Sequence, residues 1–280
     1  MQRGIYSRLG VAFKPKPLDG RAPVVIVTGA TEGIGYELAL RFAREGLDVM
    51  LVARSPGNVE EARQRIAEAS GRRTFGVPAD LATEAGIDAV DAALNAHGLY
   101  GFILVNNAGV GYGGEFEAQG GAALRRMIDL NITALSELTR RRLPDMIRAG
   151  GGGVLNVGSL AGFFPGPYQA AYYASKAYVR SLSNALAEEM RGKDVRVSVA
   201  APGPVSTKFH QKAGVRNANY LKFPGAISAH RTARGAYLGF WLRLTVIVPG
   251  TLPFIASIFS RAIPTPVITP FIGWLLKKRY

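Results

Sequence analysis

Residues 24–39 read VVIVTGATEGIGYELA. Four β-branched residues, Val24, Val25, Ile26 and Val27, predict a strand buried on both faces. A glycine-rich turn, 28–35, follows, and Leu38, Ala39, Phe42 and Ala43 then recur at helical spacing. Small residues in such a turn let the backbone approach a pyrophosphate, and the free N–H groups and dipole of the following helix face it. The glycine spacing is G-x3-G-x-G rather than the commoner G-x-G-x-x-G. On its own the stretch therefore also fits a strand–turn–helix with purely structural glycines.

Working outward, residues 48–53 predict a second strand, 55–58 a turn and 59–69 a helix. A short third strand, 74–77, ends near Asp80. A helix over 82–96, a fourth strand over 102–105 and a long helical region over 122–149 come next. Gly150 to Gly153 reads as a flexible joint. Strands over 154–157, 195–200 and 244–248 alternate with helices over 171–190 and 226–240. Alternation at this spacing predicts an α/β fold with a single doubly wound, seven-stranded parallel sheet, whose ligand sits at the carboxyl ends of the strands. Residues 24–250 make up that domain, 1–23 a basic arm and 251–280 an apolar and basic extension.

The chain has no cysteine, which excludes disulfides, thiol catalysis and thiolate metal sites. His97, His210 and His230 lie far apart without ligand spacing, so no metal site is expected. The net charge of +14 is unevenly spread: residues 1–23 carry +4, residues 24–194 carry −2, and residues 195–280 carry twelve bases and no acid. This asymmetry suggests an anionic partner: membrane, acyl carrier, coenzyme A or nucleic acid. Nothing resembles a nucleic-acid module, and bases interleaved with apolar runs favour lipid. No apolar run is long enough for a secretory signal. A cytoplasmic protein, peripheral on a membrane surface, is the expectation.

Tyr172 and Lys176 are four apart on a predicted helix and share one face. An ammonium beside a phenol favours the phenolate and lowers its pKa, as proton exchange near neutrality requires. Ser159 lies thirteen residues earlier, at the end of the fifth strand. Arg54 directly follows the second strand, where NAD-binding proteins usually place an acid. A guanidinium there suits a 2′-phosphate and points to NADPH, although a solvated charge is the alternative. Glu32, an acid in the glycine turn, works against that phosphate.

Taken together, TGATEGIG at 28–35, Asn106-Asn107-Ala108-Gly109, Ser159, the Tyr172-Tyr173-Ala174-Ser175-Lys176 segment and Pro202-Gly203-Pro204-Val205-Ser206-Thr207 resemble the short-chain dehydrogenase/reductases. The resemblance implies a Rossmann-type fold. It also implies hydride transfer between NADP(H) and a ketone or secondary alcohol. Tyr172 would exchange the proton, Ser159 would hold the reacting oxygen, Lys176 would also contact the nicotinamide ribose, and Asn131 would hold a water in the proton relay. Cofactor contacts fall to Gly29, Thr31, Gly33, Ile34 and Gly35 in the turn. Arg54, Asp80, Asn107, Ala108, Gly109, Pro202, Gly203, Val205 and Thr207 complete them. Residues 206–225 match a mobile substrate lid, and relatives are often dimers or tetramers. The turn and the basic, apolar end look similar to the lipid-metabolising branch of 3-oxoacyl reductases and hydroxysteroid dehydrogenases, so a hydrophobic acyl or steroid-like substrate is expected. A non-catalytic NADP-binding protein attached to a membrane or partner is the competing reading.

The extension contains two apolar stretches, one around Leu252 to Phe259 and one around Phe271 to Leu276, with Pro264, Pro266 and Pro270 breaking the chain between them. Neither has the ~20 apolar residues of a spanning helix. Trp274 beside Lys277-Lys278-Arg279 is an interfacial pattern. Packing on a sibling subunit or over the substrate pocket is the alternative.

Overall fold

The computed structural model describes residues 15–207, 227–259 and 263–277. Strand β1 (Ala22–Thr28) is buried on both faces as its β-branched run requires. Val25 and Val27 point into one core cluster, and Val24 and Ile26 into the other. The chain continues through α1 (Gly33–Arg44), β2 (Val49–Ala53), α2 (Pro56–Ser70), β3 (Thr74–Pro78) and α3 (Glu84–Ala96). It then forms β4 (Leu99–Asn106), α4 (Gly121–Ile128) and α5 (Leu135–Arg148), with β5 (Gly152–Val157), α6 (Ala170–Glu189) and β6 (Val195–Ala200) following. A short pair, β7 (Val205–Ser206) and β8 (Ile227–Ser228), brackets the segment 208–226. The last elements are α7 (Ala229–Trp241), β9 (Val246–Ile247), α8 (Thr251–Phe259) and α9 (Thr265–Leu276).

The main sheet has seven strands in the order β3-β2-β1-β4-β5-β6-β9, every neighbour parallel. The expected doubly wound parallel sheet is therefore present. Helices α1, α2 and α7 pack their apolar stripes on one face, and α3, α5 and α6 on the other. The strand order reverses between β1 and β4, and the crevice of such a sheet opens at that point.

Several boundaries differ from the sequence reading. Residues 55–58 are not a free turn: Ser55 caps α2 by accepting from the Asn58 N–H at 3.4 Å, and Pro56 occupies the first helical turn. Gly152 and Gly153 belong to β5, because a Cβ on Gly152 would come 2.2 Å from the Phe102 carbonyl oxygen and one on Gly153 2.5 Å from that of Arg196. The long helical region is broken into α4, a π-helical turn over Asp129–Ala134 and α5. In the extension, Pro266 and Pro270 lie inside α9 rather than before it. Most of the basic arm (1–14), most of the expected lid (208–225) and residues 278–280 fall outside the described residues. Among the described residues, no helix is long and apolar enough to cross a membrane.

Phe42 of α1 is fully buried, meeting the Tyr237 ring edge-on at 5.1 Å and the Phe240 ring at 6.4 Å, and so ties α1 to α7. Phe42→Ala should cost about 3–5 kcal/mol of stability, the range for deleting a buried aromatic. Urea unfolding of the purified variant measures it.

Candidate active site

The site begins in the glycine turn. Gly29 and Gly33 adopt φ of 62° and 60°, a left-handed conformation in which a Cβ is strained. A Cβ on Gly35 would lie 2.4 Å from both Asn107 Nδ2 and the Gly29 carbonyl oxygen. Asn107 uses this space to donate from Nδ2 to the carbonyls of Thr28 and Gly29, both at 2.9 Å. The backbone N–H groups of Asn107 and Ala108 donate to Thr28 Oγ1, each at 3.0 Å. Asn107 and Ala108 therefore fasten the end of β4 to the turn. Glu32 stands at the N-cap of α1 but makes no side-chain cap bond, so the first N–H groups of α1 keep their donors for a ligand. Across the groove, a Cβ on Gly33 would meet Thr207 Cγ2 at 3.3 Å, so Thr207 closes over the turn. The cradle fits a dinucleotide phosphate: its glycines admit close backbone approach, and a helix N-terminus supplies donors. Thr31 and Ile34 are half-buried at its rim, and Ile34 packs against the core beneath α1.

Arg54 is exposed just beyond β2. Asp80 lies just past β3, but its carboxylate already accepts from Arg126 of α4 at 2.8 and 3.0 Å. An adenine ring at Asp80 would meet this ion pair rather than a bare carboxylate.

Asn131 sits in the π turn and is 98% buried, its relative exposure being 2%. Its amide clips the backbone of Val110: Oδ1 accepts from the Val110 N–H at 2.9 Å, and Nδ2 donates to the Val110 carbonyl at 2.8 Å. Nδ2 also donates to Ser175 Oγ at 3.1 Å, and Ser175 donates to the Tyr172 carbonyl at 2.7 Å. A π turn shifts a residue around a helix, and such turns are frequent at functional sites. A Cβ on Gly109 would lie 3.2 Å from Asn131 Oδ1 and 3.7 Å from Lys176 Nζ, so Gly109 leaves room where the two polar groups converge. Ser175, which the sequence reading did not assign, links Asn131 to the Tyr172 carbonyl. Its signal was its place between Tyr172 and Lys176. Arg126 was missed because nothing in the local pattern links it to Asp80.

Tyr172 and Lys176 lie on the buried face of α6. The Ser159 hydroxyl hydrogen-bonds the Tyr172 phenol, and Ser159 Oγ accepts from the Ala161 N–H at 3.1 Å. Lys176 Nζ donates to the Val157 carbonyl at 3.0 Å and stands 5.8 Å from the Tyr172 ring centre. The expected lowering of the Tyr172 pKa by Lys176 is not what this arrangement gives. Burial pushes the phenol up to about 12, against the opposing pull of the Ser159 hydrogen bond. Burial also pushes the Lys176 ammonium down to about 8. Sequence spacing places two side chains on one face, but it does not reveal how deep they lie. Tyr173 packs its ring on Gly166, where a Cβ would come within 2.4 Å of it.

The segment after β6 closes the site. Leu160 N–H donates to the Pro202 carbonyl at 2.8 Å, which joins the Ser159 turn to Pro202. Gly203 faces Pro253 of α8, where a Cβ would lie 2.7 Å from Pro253 Cγ, and Val205 is buried. The cradle, Ser159, Tyr172, Lys176 and Asn131 thus gather at the carboxyl ends of β1, β4, β5 and β6.

A sheet of this order with a glycine cradle and a Ser–Tyr–Lys cluster defines a nucleotide-binding oxidoreductase scaffold. Residues 23–217 match the family model described as short chain dehydrogenase. The chain belongs to that family. It is 35% identical over 189 residues to the very-long-chain 3-oxoacyl-CoA reductase of Anas platyrhynchos, covering 66% of this chain and 60% of that protein. The chain therefore spans about three fifths of that relative's length. Among solved structures it is similar to a short-chain dehydrogenase from Sphingobium yanoikuyae in complex with NADPH, with TM-score 0.76, 32% identity and coverage of 86% and 93% of the two chains. It is also similar to a 3-ketoacyl-(acyl-carrier-protein) reductase from Brucella melitensis complexed with NADH, with TM-score 0.72, 27% identity and coverage of 82% and 97%.

The depressed Lys176 pKa has a consequence for stability. Between about 8 and its ordinary 10.5 the unfolded chain binds more protons than the folded one, so stability rises with pH across that window. Below it the ammonium is charged in both states and its burial cost is present in full. Lys176→Met should therefore stabilise the fold by about 1–3 kcal/mol at pH 7, after allowing for the lost bond to Val157. That gain should shrink as the pH is raised through the window. Denaturant titrations of both proteins at paired pH values measure it.

Proposed function

We propose that this chain is an NADPH-dependent reductase or dehydrogenase acting on a hydrophobic ketone or secondary alcohol of acyl or steroid-like character. The observation that carries the reading is the buried Tyr172 phenol, bonded to Ser159 and followed one helical turn later by Lys176. The similarity to oxoacyl reductases supports the acyl class of substrate. One similar structure holds NADPH and another NADH, so the preference for NADPH rests on Arg54. The enzyme is read as a cytoplasmic homo-oligomer, dimer or tetramer. Ile128 of α4, Ile147 of α5 and Tyr178 of α6 offer exposed apolar surface for subunit contact.

Phosphates would lie against Gly29, Thr31, Gly33, Ile34 and Gly35. The nicotinamide end would reach Pro202, Gly203, Val205 and Thr207, with Lys176 at its ribose. When bound, the nicotinamide supplies a hydride to the carbonyl carbon. Ser159 donates a hydrogen bond to the carbonyl oxygen and orients it. Tyr172, which keeps its proton until about pH 12, gives that proton to the same oxygen. Lys176, charged below about pH 8, favours the phenolate left behind. Asn131 holds the backbone at Val110 and lies beside Gly109 with Lys176, a position from which a water could return the proton.

Tyr172→Phe should leave NADPH binding nearly intact and lower turnover by ~10²-fold or more, the range for a positioned general acid. Steady-state assays with a 3-oxoacyl thioester and with an aromatic ketone, beside a fluorescence titration of NADPH, give both numbers. A Phe variant retaining most of its turnover would remove Tyr172 from the chemistry.

Arg54→Ala should weaken NADPH by roughly 10- to 100-fold while leaving NADH almost unchanged, because one charge-assisted contact to the 2′-phosphate is lost. Equal losses for both cofactors would show that Arg54 does not read that phosphate.

A further inference from the structure

Helix α8 is amphipathic the wrong way round for a protein core. It buries Pro253 and Ser257, four residues apart, against the body of the protein. It turns Leu252, Phe254, Ile255, Ile258 and Phe259 outward, each 46–59% exposed. A helix laid on a core normally does the reverse. Helix α9 continues the surface. It buries Ile272, Gly273 and Leu276 and exposes Val267, Phe271 and Trp274, with the last two rings stacked at 6.1 Å. Exposed Lys277 follows, and the sequence continues with Lys278 and Arg279. Contiguous apolar surface of this kind marks a docking site.

Both helices are fixed to the walls of the site. Pro253 of α8 packs on Gly203, and Gly273 of α9 packs on Pro167, five residues before Tyr172. The outward face therefore lies on the side of the molecule where the segments flanking Ser159 and Tyr172 come to the surface.

Charge decides what covers this face. The extension itself, residues 251–280, carries four bases and no acid. A second copy would bring two extensions of the same net positive charge together, and like charges brought together repel. An anionic bilayer offers both acyl chains for the apolar side chains and headgroups for the bases. At 1.5 Å per residue, α8 and α9 are about 14 and 18 Å long, well short of the ~30 Å hydrocarbon core. They can lie in the interface but not span it. We propose that α8 and α9 form a docking face for an anionic lipid bilayer, which sets the mouth of the active site against the membrane. This docking is independent of the reductase reading, since it can be measured without turnover.

The full chain is sedimented with vesicles of phosphatidylcholine, alone or mixed with phosphatidylglycerol. The protein should pellet with the mixed vesicles at low salt, stay in the supernatant with phosphatidylcholine alone, and leave the mixed vesicles as salt screens the attraction. Trp274 emission should move to shorter wavelength on binding, and Trp274→Phe should lack that change. The double variant Phe254→Gln, Ile258→Gln, at two positions more than half exposed, should fold cooperatively, bind NADPH as the parent does and partition at least ~10-fold more weakly. Three results would overturn the proposal: a parent that stays in the supernatant with mixed vesicles at low salt, a parent that binds neutral vesicles equally, or a double variant that binds like the parent. A double variant of lower oligomeric mass by light scattering would overturn it too, because the face would then belong to a second copy.

Discussion

The amide of Asn107 occupies the space that a side chain at residue 35 would need. From that contact a continuous set of hydrogen bonds crosses the site. Asn107 ties the glycine turn to the end of β4. The chain runs on to Val110, which Asn131 clips from both sides, and Asn131 reaches Ser175, which holds the carbonyl of Tyr172. The glycine cradle and the helix bearing Tyr172 are thus fixed to one another through three side chains. Fully satisfied buried networks of this type give a site a single geometry. Their cost is sensitivity: removing one member strands partners that are out of reach of water.

The same burial sets the electrostatics. Tyr172 and Lys176 are withdrawn from solvent together, and each is driven toward its neutral form. For the phenol this means a retained proton, which suits a donor to a carbonyl. For the ammonium it means a charge held at some expense to the fold, a common compromise between activity and stability. Ser159 moderates the first effect, and the Val157 carbonyl gives the second a partner.

Much of this was legible in the sequence. β1 and β6 are β-branched or alternating runs, and the predicted bounds of β6 are those observed. Ser159, Tyr172 and Lys176, far apart or one helical turn apart in sequence, lie together in the fold. What escaped the sequence did so for physical reasons. Ser55-Pro56 reads equally as a turn or as a capped helix start, and only the Asn58 N–H distinguishes them. Gly152 and Gly153 look like a joint until neighbouring strands crowd them. The pairing of Asp80 with Arg126 spans 46 positions and follows no local period. The pKa shifts depend on depth, which spacing does not encode. The outward apolar face of α8 is invisible in composition, since an apolar helix predicts burial until the structure shows which side is covered.

The π turn at Asp129–Ala134 carries a further consequence, for insertions and deletions. Such a turn holds one residue more than an α-helix of the same rise. Deleting one residue there would let α4 and α5 merge into a regular helix with every backbone bond kept. The two halves would keep their facing, because the wider turn is what absorbs the extra residue. Met127 before the turn and Leu138 after it would stay in the core, while Asn131, inside the turn, would lose the displacement that carries its amide to Val110. The extra residue is therefore one the packing of the helix could spare and the site could not.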